Sequence, residues 1–247
     1  HTIGVYASRN LTEFELGTNY ASNVYNFVPA GGAVTQTHDI IRTESCNGCH
    51  QDLNAHGGSR RGVEMCVLCH QPQTSDPVTG LVLDLGVMVH KIHTGASLPT
   101  VKAGGKFQIN GFNGLVDFSK VNLPATGATA NCAVCHRVDP DEKKRPAQAM
   151  NFLTKPSRAM CGSCHDDINW SYPYRQNNLR MEVTEDDTNC NLCHHPAGTG
   201  VLTVPGGHAH PLQVAATNPG PAFKAESTIS APDAEKVVTY RVRYEWR

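Results

Sequence analysis

The segment Cys46-Asn-Gly-Cys-His50 is the first of five Cys-x-x-Cys-His pentapeptides, and these repeated units decide the fold. The other four stand at residues 66–70, 132–136, 161–165 and 190–194, and we number all five as motifs 1 to 5 in chain order. Every cysteine of the 247-residue chain lies in a motif: Cys46, Cys49, Cys66, Cys69, Cys132, Cys135, Cys161, Cys164, Cys190 and Cys193.

The spacing within each motif is typical of covalent haem attachment. The two thiols can bond to the two vinyl groups of a haem, and the adjacent histidine then ligates the iron from one face. A single copy could instead be a redox dithiol or half of a zinc site. A disulfide framework gives no reason for a histidine after every second cysteine. We therefore predict five covalently bound haems c, with proximal iron ligands His50, His70, His136, His165 and His194.

The composition indicates that something other than side chains fills the interior. Hydrophobic residues make up 39% and aromatic residues 6% of the chain, a thin supply for a core of this size. The predicted fold class is a multihaem cytochrome c with little secondary structure. Short helices and loops would wrap around five haems, with a few β-strands at the ends of the chain.

Charge and hydropathy exclude several classes of partner. The chain has 21 Lys+Arg against 22 Asp+Glu, which argues against a nucleic-acid binder and a polybasic membrane anchor. The sequence has no transmembrane segment, and its N-terminus lacks a signal-peptide pattern, so we expect a processed chain. With His1 first and no spare cysteine, we expect no lipid anchor on the chain as given. Haem is attached outside the cytoplasmic membrane, so we expect the chain in the periplasm, at the outer cell surface or in the extracellular space.

The second axial ligands must come from the remaining histidines. The chain has 13 histidines, so eight remain for five positions. Paired histidine ligation gives low-spin iron at low potential and leaves no open site for a substrate. The candidates that we select are His56, His90, His93, His208, His195 and His38, and the remaining two are His1 and His210.

Three candidates follow from local sequence. His56 is followed by two glycines, which let a porphyrin approach the backbone closely. His90 and His93 lie in an apolar stretch with helical spacing, which Gly95 would end. At i and i+3 their side chains point in neighbouring directions and could serve two adjacent haems. A lone histidine on an apolar helix is more often a packed core residue, but two beside haem favour ligation.

The other candidates rest on weaker patterns. His195 directly follows the proximal histidine of motif 5, so the chain could ligate two irons from opposite directions there. His208 and His210 alternate in a run that we expect to be extended, and we prefer His208 as the one ligand of the two. His38 precedes motif 1, and His1 is a terminal residue, which is usually mobile. For His38 and His1 the alternative is an ordinary solvated histidine.

We divide the chain into an N-terminal strand-containing arm (1–40), a pentahaem domain (41–212) and a C-terminal extension (213–247) that ends in a β-strand. The arm has two β-favouring runs, and the apolar residues from Val238 to Trp246 alternate with polar ones. The last strand could pair with an N-terminal strand of the same molecule. It could also add to the sheet edge of a neighbouring subunit, which would favour a chain of protomers.

Five stretches resemble the OmcA/MtrC family of outer-membrane multihaem cytochromes of metal-reducing bacteria, specifically one pentahaem domain. They are residues 46–58 with their His-Gly-Gly-Ser-Arg, Cys66-Val-Leu-Cys-His-Gln-Pro, Val87-Met-Val-His-Lys-Ile-His-Thr-Gly, Ala103-Gly-Gly-Lys-Phe-Gln-Ile with Asp117-Phe-Ser, and Cys161-Gly-Ser-Cys-His-Asp-Asp. The resemblance covers about residues 1–210. It implies bis-histidine haems in a close-packed array, with His56, His90, His93 and His208 as distal ligands. It also implies that the leading strands are the end of a preceding β-domain.

The chain departs from the family pattern in two ways. Family members usually carry ten haems in alternating β and pentahaem domains, whereas this sequence has five motifs. It also lacks a histidine between His165 and Cys190, where related sequences often have one. The missing ligand would come from His195, His38, His210 or another protomer. A fragment of a larger cytochrome and a subunit of a polymeric filament, or nanowire, both stay open.

The function predicted from these features is electron transfer rather than catalysis. The resemblance implies electron delivery to extracellular metal oxides, redox shuttles or other multihaem cytochromes, and copies of the same chain are a further partner. The alternative is a multihaem reductase with one open-site haem, or a metal reductase that acts at an exposed haem edge. An open site is often marked by lysine in place of the motif histidine, and all five motifs here keep histidine.

Overall fold

The computed structural model describes residues 1–123, 132–137, 141, 144–176, 179–198, 202–208, 223–229 and 240–246. The chain divides into two compact units, His1–His208 and Ala209–Arg247, and each is described by itself. In the described part of the chain, no helix is both long and apolar enough to cross a membrane.

Regular structure in the first unit is sparse and short. The helices among its described residues are α1 (Thr43–His50), α2 (Val63–Cys66), α3 (Leu85–Thr94), α4 (Pro99–Lys102), α5 (Asn151–Thr154), α6 (Arg158–Cys164), α7 (Cys190–Cys193) and α8 (Val204–Gly207). The strands form antiparallel pairs: β1 (Thr2–Asn10) with β2 (Thr18–Asn26), β3 (Asn54–Ala55) with β4 (Arg60–Arg61), β5 (Gln108–Gly111) with β6 (Gly114–Asp117), and β7 (Tyr174–Gln176) with β8 (Leu179–Met181).

The N-terminal hairpin packs on the region of motif 2. A Cβ atom at Gly4 of β1 would stand 2.4 Å from a methyl carbon of Leu68, so glycine lets the strand lie close to this region. Farther along β1, the guanidinium of Arg60 lies 3.9 Å from the ring centroid of Tyr6 and donates a hydrogen bond to its hydroxyl. The two β-favouring runs of the arm are thus strands that contact the haem-motif region.

Helix α3 is the longest α-helix of the described residues, and its ends follow its sequence. The Asp84 side chain accepts a hydrogen bond from Val87 N at the first turn, and Gly95 ends the helix with φ of 39°. A Cβ at Gly95 would stand 2.3 Å from the carbonyl oxygen of Val121. The last residue of α3 is Thr94, and its hydroxyl oxygen is 3.1 Å from the sulfur of Cys164 on α6. The predicted helix and its glycine stop are therefore observed.

Few apolar side chains are buried, as the composition predicts. In the described part of the chain the buried hydrophobic residues are Val63, Met65, Leu98, Phe107 and Ala149. A core of this size stabilises only a small fraction of the unit. Apolar side chains alone therefore do not form the interior, which agrees with the prediction that bound groups occupy part of it.

The second unit contains one described hairpin, β9 (Phe223–Ile229) paired antiparallel with β10 (Tyr240–Trp246). The alternating C-terminal run is thus a strand, but its predicted pairing with an N-terminal strand is wrong. Among the described residues β1 pairs with β2, and β10 pairs with β9, a nearer segment whose pairing closes a shorter loop. Addition of β10 to a neighbouring subunit stays a prediction.

Candidate functional site

Four motif histidines each face a second imidazole at nearly the same distance. The ring centroids are 5.9 Å apart for His50 and His93, 6.1 Å for His70 and His56, 6.1 Å for His136 and His90, and 6.3 Å for His165 and His208. An imidazole nitrogen binds a metal at about 2.0–2.1 Å, so two rings on one metal have centroids about 6.2 Å apart. Each pair therefore leaves the gap that one metal ion fills.

Each pair offers two ligands, the number that the iron of a porphyrin lacks. Within the described residues, no group of three or more His, Cys, Asp or Glu side chains is arranged to hold a metal ion. The cysteines beside these histidines form no disulfide. The residues present thus fit a haem that is bonded through two thiols and ligated from both faces.

Helix α3 supplies ligand candidates to two different motifs. His93 faces His50 of motif 1, and His90 faces His136 of motif 3. Side chains three residues apart on a helix diverge by about 60°, since each residue turns by about 100°. The helix therefore lies between motifs 1 and 3, in the arrangement that the spacing predicts.

His56 reaches motif 2 from the hairpin that follows motif 1. It lies in the turn between β3 and β4 with φ of 52°, a conformation that few non-glycine residues adopt. The two glycines after it also have positive φ. Burial and the nearby charges of Arg60 and His70 lower the pKa of His56, which favours the neutral ring that a metal binds. The turn is therefore shaped to present this side chain.

His208 follows helix α8, which the sequence analysis did not predict. We expected an extended run here, but residues Val204–Gly207 are helical because Thr203 caps the helix and a proline stands in its first turn. The side chain of His208 nevertheless faces His165 of motif 4. His210 lies outside the described residues.

Backbone carbonyls hold several of these rings in one orientation. The Nδ1 atom is 2.8–3.0 Å from a carbonyl oxygen in four rings: His70 with Leu83, His93 with Val89, His194 with Leu202, and His208 with Val204. Such a bond places the proton on Nδ1 and leaves Nε2 as the metal ligand. The Nε2 atom of each of these rings is thus available as a metal ligand.

Burial favours the neutral, ligating form of further histidines. Burial lowers the pKa of His136 to about 4, with a smaller effect from His90. It also lowers the pKa of His90 and of His165. Burial therefore favours the uncharged form of these rings, the form that binds a metal.

The cysteine thiols reveal the spatial order of the motifs. Burial raises the pKa of Cys46 to about 11, and the neighbouring thiols of Cys135 and Cys66 contribute to this shift. Motifs 2 and 3 therefore both lie beside motif 1. The same electrostatic influence of one thiol on another links motif 3 to motif 4 and motif 4 to motif 5, through the pairs Cys132 with Cys164 and Cys161 with Cys190. The motifs thus follow the spatial order 2-1-3-4-5.

Motif 5 differs from the other four. Among the described residues, no imidazole faces its histidine, His194, at the distance seen in the four pairs. His38 and His195 are exposed, and the structure brings neither of them to face a motif histidine. His1 is exposed and lies 5.8 Å from the ring of Phe27. The ligand roles of His38 and His195 stay predictions.

Four residues that neighbour the motifs were missed from the sequence. Phe152 stacks on the ring of His136 with 4.9 Å between centroids. Lys91 donates a hydrogen bond to Asp166 at 2.7 Å, and Arg137 lies beside Gly48 in motif 1. Asp166 and Arg137 directly follow motif histidines, which is the signal that could have drawn attention to them.

Comparisons with known proteins find similarity to outer-membrane multihaem cytochromes. A family described as outer membrane cytochrome MtrC/MtrF-like, domains II/IV, matches residues 38–204. The chain is 28% identical over 177 residues to the multihaem cytochrome MtrC of Shewanella baltica (strain OS185), covering 70% of this chain and 20% of that protein. It is also similar to the crystal structure of the outer membrane decahaem cytochrome OmcA, with 25% identity and a TM-score of 0.62, covering 99% of this chain and 34% of that one.

These similarities confirm the predicted family resemblance and the predicted multihaem fold class. The chain spans about a third or less of the length of the relatives that it matches. What it shares with them is therefore one part of a larger protein.

Proposed function

Because the chain belongs to the MtrC/MtrF-like family of outer-membrane cytochromes, we propose that it binds five haems c and relays electrons along them. Haem iron supplies a one-electron couple between its ferric and ferrous states. The chain would hold each haem through two thioethers and set its potential through the axial ligands. In this proposal it is an electron carrier and not an enzyme.

The observation that carries the proposal is the set of four imidazole pairs at 5.9–6.3 Å. Each pair joins one motif histidine to a histidine from outside the motifs. A structural role for these histidines would not require four pairs with the same spacing. Two axial imidazoles on each iron leave no position for a substrate, which favours electron transfer over catalysis.

The order of the motifs supports a continuous path. Thiols of adjacent motifs lie close enough to affect one another's ionisation in the order 2-1-3-4-5. Haems attached to neighbouring thiols would lie close together. Electrons could then enter near motif 2 or motif 5 and leave at the opposite end.

The location and partners follow from the family. We propose an extracellular or outer-cell-surface location, where extracellular metal oxides, redox shuttles or other multihaem cytochromes would exchange electrons with the chain. Copies of the same chain are a further partner, and assembly into a filament, or nanowire, is part of this proposal. Electron cryo-microscopy of the purified protein separates continuous filaments from discrete particles.

The experiment that tests the haem array compares ligand variants of the matured protein. His93→Ala should convert one haem from low-spin to high-spin iron in the ferric electron paramagnetic resonance (EPR) spectrum, because motif 1 loses its second ligand. His1→Ala is the matched control and should leave the spectrum unchanged. Intact mass should exceed that of the polypeptide by five haems. A mass with fewer haems, or no high-spin signal in His93→Ala, would contradict the proposal.

A second candidate function concerns motif 5 alone. His194 has its Nδ1 fixed by Leu202, yet no described imidazole faces it, so a reductase with one open-site haem is the alternative. Single alanine variants of His195, His38 and His210 separate the two cases. If one variant turns a low-spin haem high-spin, that histidine is the fifth distal ligand. If the unaltered protein already has one high-spin haem that binds cyanide, the reductase is the better account.

A further inference from the structure

The histidine pair of motif 3 differs from the others in its hydrogen bonding. The Nδ1 atoms of His90 and His136 are both buried, and neither has a hydrogen-bond partner among the described residues. The carbonyl of Gly86, one turn earlier, comes near the His90 ring, but the contact does not reach the hydrogen-bond geometry of the carbonyl bonds at the other motifs. At motifs 1, 2, 4 and 5, at least one imidazole is fixed by a backbone carbonyl.

A neighbouring aromatic ring covers His136, and the Nδ1 atoms of both rings are out of contact with solvent. Phe152 of α5 stacks on His136 at 4.9 Å with an angle of 19° between the ring planes. Motif 2 provides a comparison within the molecule, because its two rings have a similar angle of 24° but His70 is bonded to a carbonyl.

Both features act on reduction potential in the same direction. A hydrogen bond from Nδ1 to a carbonyl makes an imidazole a stronger electron donor, which stabilises ferric iron and lowers the potential. The motif 3 ligands lack this bond. A dry site also disfavours the more highly charged ferric state. In addition, Arg137 donates a hydrogen bond from Nε to the carbonyl of Val134 at 3.5 Å, which holds its positive charge beside motif 3.

We propose that His90, His136 and Phe152 make motif 3 the electron reservoir of the array, the position with the highest reduction potential. This inference rests on the proposed function, since it requires a haem on every motif. One electron would pass from ferrous iron at motif 1 or motif 4 to ferric iron at motif 3, and no bond or proton would change place. Motif 3 lies in the middle of the spatial order, so it would store the first electron that enters from either end.

The test is a reductive titration of the matured protein, followed by EPR. Nearly parallel imidazole planes give a rhombic low-spin signal, whereas nearly perpendicular planes give a signal with one very large g-value. Motifs 2 and 3 have angles of 24° and 19°, and motifs 1 and 4 have angles of 72° and 73°. The first signal to disappear should therefore be rhombic.

Variants of Phe152 identify which rhombic signal belongs to motif 3. Phe152→Ala should admit water to His136 and lower the affinity of the first site for its electron at least tenfold, or about 59 mV for one electron. Phe152→Leu keeps the site dry and is the matched control, with a shift of less than threefold. The rhombic signal that moves in the alanine variant should be the one that disappears first in the unaltered protein.

The outcomes separate this inference from the proposed function. If the first signal to disappear on reduction is one of the large-g signals, motif 3 is not the reservoir, and the proposed five-haem array still stands. The wild-type protein alone decides this point if Phe152→Ala does not fold. Equal titrations of the alanine and leucine variants also overturn it. A matured protein that carries fewer than five haems would contradict the proposed function instead.

Discussion

The carboxylate of Asp166 holds the motif 4 segment to α3, and its removal should destabilise the protein strongly. Asp166 directly follows the motif histidine and accepts hydrogen bonds from Lys91 Nζ at 2.7 Å and from Thr100 N at 3.0 Å. Its side chain is 5% exposed and that of Lys91 is 17% exposed. Asp166→Asn would therefore leave a largely buried ammonium group without its counter-charge.

The structure sets the size of this effect. Loss of one partner of a buried ion pair costs about 3–5 kcal/mol, and the partial exposure of Lys91 favours the lower value. A destabilisation of about 3 kcal/mol lowers the melting temperature of a chain of this size by about 6–12 °C. Most of this loss comes from the unpaired cation, so the double variant Lys91→Met/Asp166→Asn should recover more than half of it.

The assay is thermal unfolding of the matured protein, followed by circular dichroism in the haem absorption band. Glu182→Gln is the matched control, because its ion pair with Arg180 is exposed on both sides and such pairs contribute about 0–1 kcal/mol. The reasoning is refuted if Asp166→Asn melts within about 2 °C of the unaltered protein, which corresponds to less than about 1 kcal/mol. It is also refuted if the double variant is no more stable than Asp166→Asn.

Three further predictions concern a pair of glycines, a buried carboxylate and the angles between paired imidazoles. Gly95→Ala should lower the free energy of unfolding, measured by denaturant titration, by at least about 2 kcal/mol, because the new Cβ would meet the carbonyl of Val121. Gly80 also has a positive φ but open space around it, so Gly80→Ala should lower the same quantity by about 1 kcal/mol. Burial opposes ionisation of Asp76, but hydrogen bonds from Asn110 and Thr79 outweigh it and lower its pKa from 3.8 to about 2. The ionised carboxylate thus stabilises the fold above pH 4, and this stabilisation is lost as the pH falls toward 2. Asp76→Asn should therefore melt at a lower temperature than the unaltered protein at pH 7, and the difference should vanish near pH 2. A difference that is the same at both pH values would contradict this. In the ferric protein, EPR should resolve two low-spin classes, and a single class would contradict the ring angles of motifs 1 and 4.

Local spacing carried the parts of the site that could be predicted from the sequence. The two histidines of α3 are three residues apart on a helix with a capping Asp84 and a terminal Gly95, so their divergence toward two motifs follows from helix geometry. His56 was likewise indicated by the glycines beside it. These features need no knowledge of distant segments.

Contacts between distant segments could not be predicted in the same way. Periodicity shows which face of β10 is apolar but not which strand it pairs with, and its partner is β9. The stacking of Phe152 on His136 joins residues from different elements and has no signature in either segment. The helix before His208 was missed because its short run of Val-Pro-Gly-Gly has low helix propensity, and Thr203 and the proline set its start.

Helix α3 also fixes the spacing between two imidazoles that face different motifs. The rise from His90 to His93 is about 4.5 Å, set by backbone hydrogen bonds alone. Any displacement of this helix carries both imidazoles together, so thermal motion changes their distance to the surrounding loops more than the distance between them. Loops elsewhere in the chain can therefore vary in length and sequence while the separation of these two imidazoles stays constant. In the proposed haem array, the rate of electron hopping between motifs 1 and 3 would depend steeply on that separation.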